Sequence, residues 1–186
     1  SPVSATAYRR QRQIEDCLFE NLQHVPYQSI SVSDLCRQVG ISRKAFYNYY
    51  PDKDACFCAI VDRLIRESML RSAAVSSEDS LMETVTVMLD FWKNQKNFFD
   101  IMMRNSLYHY FLLRNIDYVM KEDRSILELL STPEVQSDMD ILACYVASTI
   151  TLVLQWYFRG FNTPTEEMAR KLLRLLHVPM FSHNET

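Results

Sequence analysis

Only two glycines, Gly40 and Gly160, interrupt the 186 residues of this chain. Glycine is the default residue where a backbone must turn through a left-handed conformation, so a chain this poor in it has few sharp corners. Long apolar periodicities and capping signals fill the rest. Together they predict an all-α protein, large enough to bury about 70% of its unfolded surface.

A first helix is expected from about residue 7 to 24, with Ile14, Cys17, Leu18 and Leu22 on one stripe and Pro26 ending it. Ser31, with Asp34 three residues on, caps a second helix whose Leu35, Cys36 and Val39 face inward. Gly40 sits where that helix must leave sharply. Ser42 caps a short third helix, with Ala45 and Phe46 packing inward. A long fourth helix follows over about 52–74, where Phe57, Ile60, Val61, Leu64, Ile65 and Met69 repeat at three- and four-residue steps. The polar run Ser76-Ser77-Glu78-Asp79-Ser80 marks a domain boundary. Residues 1–53 are therefore expected to form a helix-turn-helix domain, and 76–186 a second helical domain. Helices are predicted there near 80–94, 97–113, 115–130, 138–160 and 164–177. Thr163-Pro164-Thr165-Glu166 marks the start of the last, and Pro179 its end.

Net charge is −3, against broad stickiness for nucleic acid, but it is unevenly spread. Residues 1–75 hold ten Lys/Arg and eight Asp/Glu, and the remainder ten and fifteen. The five cysteines are odd in number and irregular in spacing, which fits a reduced, cytoplasmic compartment and no metal site. The first residues are polar, with no apolar stretch behind Arg9, Arg10 and Arg12, so no signal peptide is expected. The missing initiator Met implies a processed or trimmed start. Ile141–Phe158 is uncharged for 18 residues, but Ser148, Thr149, Thr151 and Gln155 interrupt it. The expectation is no membrane span; the helix should instead be buried on nearly all faces, in a bundle or subunit interface. His24, His109, His177 and His183 have no metal-ligand spacing, and no Gly-rich phosphate loop or nucleophile elbow occurs. Neither an enzyme nor a cofactor is expected.

The chemistry concentrates at 31–53. A short helix held from behind can present its first turns to the major groove of DNA. Arg43 and Lys44 open the third helix, and both side chains can donate to guanine O6 and N7. Tyr47 can place its hydroxyl on a phosphate and its ring on a thymine methyl. Asn48 can reach a base edge or a phosphate. Lys53 adds a cation at the start of the fourth helix. Phe46 and Tyr50, four residues apart, supply the buried face, which leaves Tyr47 outward.

Over about residues 10–60 this pattern resembles the TetR family of bacterial transcriptional regulators. The resemblance is carried by Ser31 to Val39, Gly40, Ser42-Arg43-Lys44-Ala45-Phe46-Tyr47-Asn48-Tyr49-Tyr50 and Asp52-Lys53. Cys36 and Val39 stand where alanines are usual, Tyr50 where Phe is common and Cys56 where Leu is common. The resemblance implies base contacts from Arg43, Lys44, Tyr47 and Asn48. It implies backbone contacts from Ser31, Ser33, Tyr47, Tyr49 and Lys53.

Residues 139–178 resemble the last two helices of the DhaS-like branch of that family, through Leu154 to Phe161 and Thr163 to Ala169. In the family these helices pair with their copies. A homodimer is therefore expected, with Leu152, Trp156, Met168, Leu172 and Leu175 at its interface. It would place two recognition helices about 34–36 Å apart on a pseudo-palindrome. Residues 91–118 hold eight aromatics in 28, where a helical core is one reading and a pocket for a small hydrophobic or aromatic effector another. Trp92, Met103, Tyr108, Phe111 and Tyr145 are the candidate lining, with Arg104 and His109 as anion anchors. The function expected is a ligand-released repressor on double-stranded DNA. The alternative is a co-regulator on the same fold whose C-terminal domain binds a partner protein.

Overall fold

The computed structural model describes residues 4–75 and 81–176. Pro179 and the 76–80 boundary, as well as His177 and His183, lie outside them. The described residues form eleven α-helices and one 3-10 turn, with no strand. The helices are α1 (Ala5–His24), α2 (Val32–Val39), α3 (Arg43–Tyr47), α4 (Lys53–Ala73), α5 (Leu81–Lys93), α6 (Lys96–Arg104), α7 (Tyr108–Lys121), α8 (Ser125–Leu130), α9 (Pro133–Ser137), α10 (Met139–Phe158) and α11 (Thr165–Leu176).

The chain folds as two compact units that do not follow its linear order. One comprises the residues up to Leu64 together with Asp100–Arg114, and the other Ile65–Phe99 and the residues from Asn115.

In the first unit, Ile14, Leu18 and Leu22 of α1 and Phe57, Ile60 and Val61 of α4 form the core with Leu35, Cys36 and Phe46. The caps expected at Ser31 and Ser42 are present, and Ser4 adds one at the start of α1. Ser4 Oγ, Ser31 Oγ and Ser42 Oγ accept from the amides of Ala7, Asp34 and Ala45 at 3.0–3.1 Å. Gly40 leaves α2 at φ 74°, with its amide and that of Ile41 on Cys36 O. A reciprocal amide pair joins α1 to α2. Asn21 Nδ2 donates to Gln38 Oε1 (2.8 Å) and Gln38 Nε2 to Asn21 Oδ1 (3.1 Å).

The single helix expected over 97–113 breaks after Arg104. Ser106 takes φ 56°, and the Leu107 amide reaches back to Met102 O at 2.9 Å. This is the left-handed stop that glycine usually fills, here made by serine. The helix expected over 115–130 is likewise divided. The chain leaves α7 at Lys121 and restarts at Ser125, and the short α9 is a helix that no periodicity announces.

In the second unit α11 packs on α5 and α10. Thr165 Oγ1 donates to Asp90 Oδ1 at 2.5 Å, holding the start of α11 on α5. Trp156 is 0% exposed, with its indole N–H on Thr163 O (3.0 Å) and Phe161 edge-on at 5.0 Å. Ser68 and Ser72 are buried on α4. The Ser72 hydroxyl donates to Ser68 O at 2.9 Å, while Ser68 Oγ has no hydrogen-bond partner among the described residues.

Helix α10 is long and apolar enough to cross a membrane by length and composition, as a buried helix of a soluble protein also can be. The expectation that it is covered on nearly all faces does not hold within the chain. Leu142, Val146, Ile150, Val153, Leu154 and Trp156 are buried along one side, while Met139, Ile141 and Phe158 are exposed.

Candidate nucleic-acid interface

Helix α3 is five residues long, too short to persist alone, and is held from behind. Phe46 is 0% exposed and packs against Tyr50 with ring centroids 5.9 Å apart. Tyr50 is buried too, and its hydroxyl donates to Glu15 Oε1 of α1 at 2.7 Å. Burial and that carboxylate push the Tyr50 phenol above its ordinary range. Arg63 of α4 forms an ion pair with Glu15 at 3.0 Å and a second with Asp16 at 3.3 Å. Helix α3 is thus backed by aromatic packing that ends in an ion pair joining α1 and α4.

The opposite face is open. Arg43, Lys44 and Asn48 are exposed, and Tyr47 is 45% exposed with its ring edge-on to Phe46. Arg43 lies back on the surface. Its Nη1 donates to Ser33 Oγ of α2 (3.1 Å), its Nη2 to Tyr47 Oη (3.3 Å), and its guanidinium stands 5.8 Å from the Tyr47 ring centre. Three groups singled out in the sequence, Ser33, Arg43 and Tyr47, are therefore one cluster. A guanidinium has five N–H donors, so two bonds leave three for a ligand. Ser31 is exposed and Tyr49 half-buried. Ser31 Oγ also donates to Asp34 Oδ2 at 2.6 Å. That bond, then Arg37 at 2.9 Å, holds the Asp34 carboxyl below its usual range.

Lys53 is half-buried and turned into the fold. Its Nζ donates to Tyr27 O (2.6 Å) and Ile30 O (2.7 Å) and lies 4.1 Å from the Tyr27 ring centre. Burial pushes its pKa down, against the pull of Asp54. Two of its three N–H donors are committed to tying α4 to the turn before α2. Spacing alone cannot distinguish such a lysine from one facing a phosphate.

Sequence reasoning misses the joint beside it. Asp54 accepts hydrogen bonds from the hydroxyls of Tyr27 and Tyr110, the latter at 2.5 Å. Burial raises the Asp54 pKa, but the two hydroxyls and Lys53 outweigh it and hold the carboxyl below its ordinary value. The Asp54 bond is the main force pushing the Tyr110 phenol up to about 12. Nearby, Asn105 Oδ1 accepts the Tyr27 amide (2.8 Å) and Arg104 Nη2 donates to Leu22 O (2.9 Å). Partners 56 to 82 residues apart in sequence leave no local signal.

The candidate pocket residues separate. Trp92 and Tyr145 belong to the second unit and Met103, Tyr108 and Phe111 to the first. Trp92 and Phe111 are buried, with Trp92 edge-on to Phe91 and Phe99. Tyr145 donates to Leu176 O at 3.2 Å. A cleft of about 290 Å³ is lined by Gln23, His24, Val25, Pro26, Arg104 and Asn105, and by none of those five. His109 is exposed and stacks on Tyr110 at 4.0 Å. Of the candidate dimer residues, Trp156, Met168 and Leu172 are 0% exposed within the chain, so their side chains present no surface to a partner. Leu152 is half-buried and Leu175 exposed. Among the described residues no group of three His, Cys, Asp or Glu could hold a metal ion, and all five cysteines are free thiols.

Residues 19–60 match the family model described as bacterial regulatory proteins, tetR family. The HTH-type transcriptional regulator EthR of Mycobacterium tuberculosis is 40% identical over 47 residues, which is 25% of this chain and 22% of that protein. EthR of Mycolicibacterium smegmatis matches equally. The chain thus spans about a fifth of the length of these curated relatives. Two solved structures share the fold along nearly the whole chain. The dihydroxyacetone kinase operon activator DhaS has a TM-score of 0.55 at 19% identity, covering 91% of this chain and 94% of that one. The fatty acid degradation regulator FadR of Bacillus halodurans has a TM-score of 0.55 at 12% identity, covering 94% and 97%. Residues 19–60 thus carry the helix-turn-helix module of the tetR family, within an all-helical fold that the chain shares with DhaS and FadR.

Proposed function

We propose that this protein is a transcriptional regulator that binds double-stranded DNA through α3. The observation that carries the reading is the outward set Arg43, Lys44 and Tyr47 on a helix pinned from behind by Phe46 and Tyr50. Arg43 and Lys44 supply donors for guanine edges, and Tyr47 and Asn48 contact a base or the backbone. Ser31, Ser33 and Tyr49 contact phosphates, and Lys53 contributes its remaining N–H. The functional division is 1–53 for DNA and 76–186 for regulation and dimerisation, in a cytoplasmic protein.

The proposed action is repression of a pseudo-palindromic operator by a homodimer, relieved by a small effector that binds one state better than the other. Support for the dimer comes from α10 and α11, which leave Met139, Ile141, Phe158 (60% exposed) and Leu175 uncovered. Those side chains, rather than Trp156, Met168 and Leu172, would meet their copies. Light scattering at micromolar concentration is expected to give twice the 21.9 kDa chain mass, and a monomer there refutes the homodimer.

Selection of bound DNA from a random pool tests the central reading. The protein is expected to enrich a two-fold motif. Lys44→Ala is expected to relax one position in each half-site, with discrimination there falling by about 1–3 kcal/mol. Uniform weakening would instead make Lys44 a phosphate contact. A wild-type protein that enriches no motif at low salt overturns the function.

A further inference from the structure

Helix α1 ends at His24, and the residues after it leave its last carbonyls short of donors. The Val25 amide still closes the helix on Asn21 O at 3.0 Å. Pro26 has no N–H, so Leu22 O lacks a backbone donor at the next step, and Arg104 Nη2 supplies one at 2.9 Å. The Tyr27 amide, next in line for Gln23 O, turns instead to Asn105 Oδ1 at 2.8 Å. Among the described residues the carbonyls of Gln23 and His24 therefore receive no hydrogen bond. They are open acceptors at the negative end of a helix of 20 residues, a place that favours a positive group.

The same stretch forms one wall of the cleft of about 290 Å³, which Arg104 and Asn105 complete. All six lining residues belong to the first unit. The volume lies at the small end of ligand pockets, sized for a metabolite. No carboxylate lines the cleft, and none among the described residues pairs with Arg104. Of the five N–H donors of its guanidinium one is committed to Leu22 O, and the rest can grip a carboxylate at two points. Asn105 is a wall rather than a donor, because its Nδ2 is held by Ile101 O at 2.8 Å and its Oδ1 by the Tyr27 amide. The amides of Asn105, Leu107 and Ser106 take the carbonyls of Ile101, Met102 and Met103, so these do not oppose an anion at Arg104. Val25 and Pro26 are exposed and add an apolar patch.

The charges are close together. A guanidinium bonded to Leu22 O stands beside the carbonyls of the next two residues. A simple anion would satisfy Arg104 and face the open carbonyls. A simple cation would satisfy the carbonyls and face Arg104. An α-amino acid carries both groups on one carbon. Its carboxylate only accepts and its ammonium only donates, as the two halves of the cleft require.

We propose that this cleft binds a free α-amino acid with an apolar side chain. The carboxylate lies on Arg104, the ammonium on the carbonyls of Gln23 and His24, and the side chain against Val25 and Pro26. Such a ligand ties the end of α1 to the end of α6 and stabilises the first unit. The inference goes beyond the DNA-binding function and does not depend on it.

The test uses the full chain, isotope-labelled for nuclear magnetic resonance, with L-leucine as the probe at constant ionic strength. The amide signals of His24, Val25, Arg104 and Asn105 are expected to shift together and saturate, with half-saturation at about 1 mM or below. The thermal midpoint should rise with leucine concentration. Isocaproate is leucine without its ammonium, and isoamylamine is leucine without its carboxylate. Each is expected to bind at least about tenfold more weakly, having lost a charge-assisted hydrogen bond. Arg104→Gln should weaken leucine to the level of isoamylamine. Val25→Asp sets a competing carboxylate in the cleft at an exposed position, without touching the Leu22 bond, and should also abolish the leucine shifts. If circular dichroism shows that Arg104→Gln does not fold, Val25→Asp decides. Isocaproate binding as tightly as leucine overturns the proposal, because the open carbonyls then hold nothing. Isoamylamine binding as tightly overturns it too, because Arg104 then holds nothing. Unweakened leucine binding in a folded variant places the ligand elsewhere and overturns the site, as does the absence of a saturable shift up to about 10 mM leucine.

Discussion

Phe46→Ala is expected to lower the unfolding free energy by about 3–5 kcal/mol, the usual cost of truncating a fully buried phenylalanine. Phe46 is 0% exposed and is the one buried side chain of α3. A helix of five residues has no stability of its own, so tertiary packing decides whether it exists. Without the ring, Tyr50 loses its partner at 5.9 Å and Tyr47 its edge-on neighbour at 5.5 Å. The Ser42 cap remains, but it contributes only about 1 kcal/mol. Urea unfolding followed by circular dichroism measures the loss. Operator affinity should fall by more than the removal of any single exposed residue would cause, since Arg43, Lys44 and Tyr47 all share this support. Phe46→Leu, which keeps most of the buried volume, should recover much of both. A Phe46→Ala protein within about 1 kcal/mol of wild type would mean that the site relaxes around the gap and that α3 is held by other contacts.

Asp54→Ala comes next in size. Among the described residues Asp54 alone accepts from the Tyr27 and Tyr110 hydroxyls, and its charge faces Lys53. A hydrogen bond to a charged group contributes about 1.5–3 kcal/mol. Two such bonds, discounted because the carboxylate is only partly buried, make a loss of about 2–3 kcal/mol the expected result at pH 7. The pH dependence gives a second reading. The folded-state pKa of Asp54 lies below its ordinary value, so the group binds its proton more readily when unfolded. Its contribution is complete above the ordinary carboxylate range and is lost as pH falls through the depressed value. The wild-type and variant stabilities should therefore differ most at neutral pH and converge in acid. A gap that stays constant from pH 7 to pH 3 would show that the carboxylate's charge is not what holds the joint.

The head is legible in the sequence because its signals are local. Ser31 and Ser42 each accept from an amide three residues on, Gly40 donates its own to the Cys36 carbonyl, and in the structure they cap and turn as their positions predict. The inward and outward faces of α3 also follow from spacing, with Phe46 and Tyr50 buried and Tyr47 exposed. Legibility ends where a residue takes an uncommon role or a distant partner. Ser106 ends α6 in a conformation that glycine would have announced. Lys53 faces two carbonyls at the place where its spacing points to a phosphate. The 91–118 aromatics look like a single group in the sequence, but periodicity does not reveal that the chain divides between its compact units at Phe99 and again at Arg114. On α10 and α11, apolar periodicity marks Trp156, Met168 and Leu172 correctly as apolar, but it cannot separate the side facing the chain's own core from the side left open.

That division sets an order of events at the ribosome. The Tyr27 amide waits for Asn105, the Leu22 carbonyl for Arg104, and Asp54 for the Tyr110 hydroxyl. The N-terminal head is therefore translated first but completed late. A nascent chain carrying all of α1 to α4 still lacks the segment that closes it, and closure across so wide a sequence gap is slow. Until residues 100–114 leave the exit tunnel, the first unit has its α3 but not its full set of bonds.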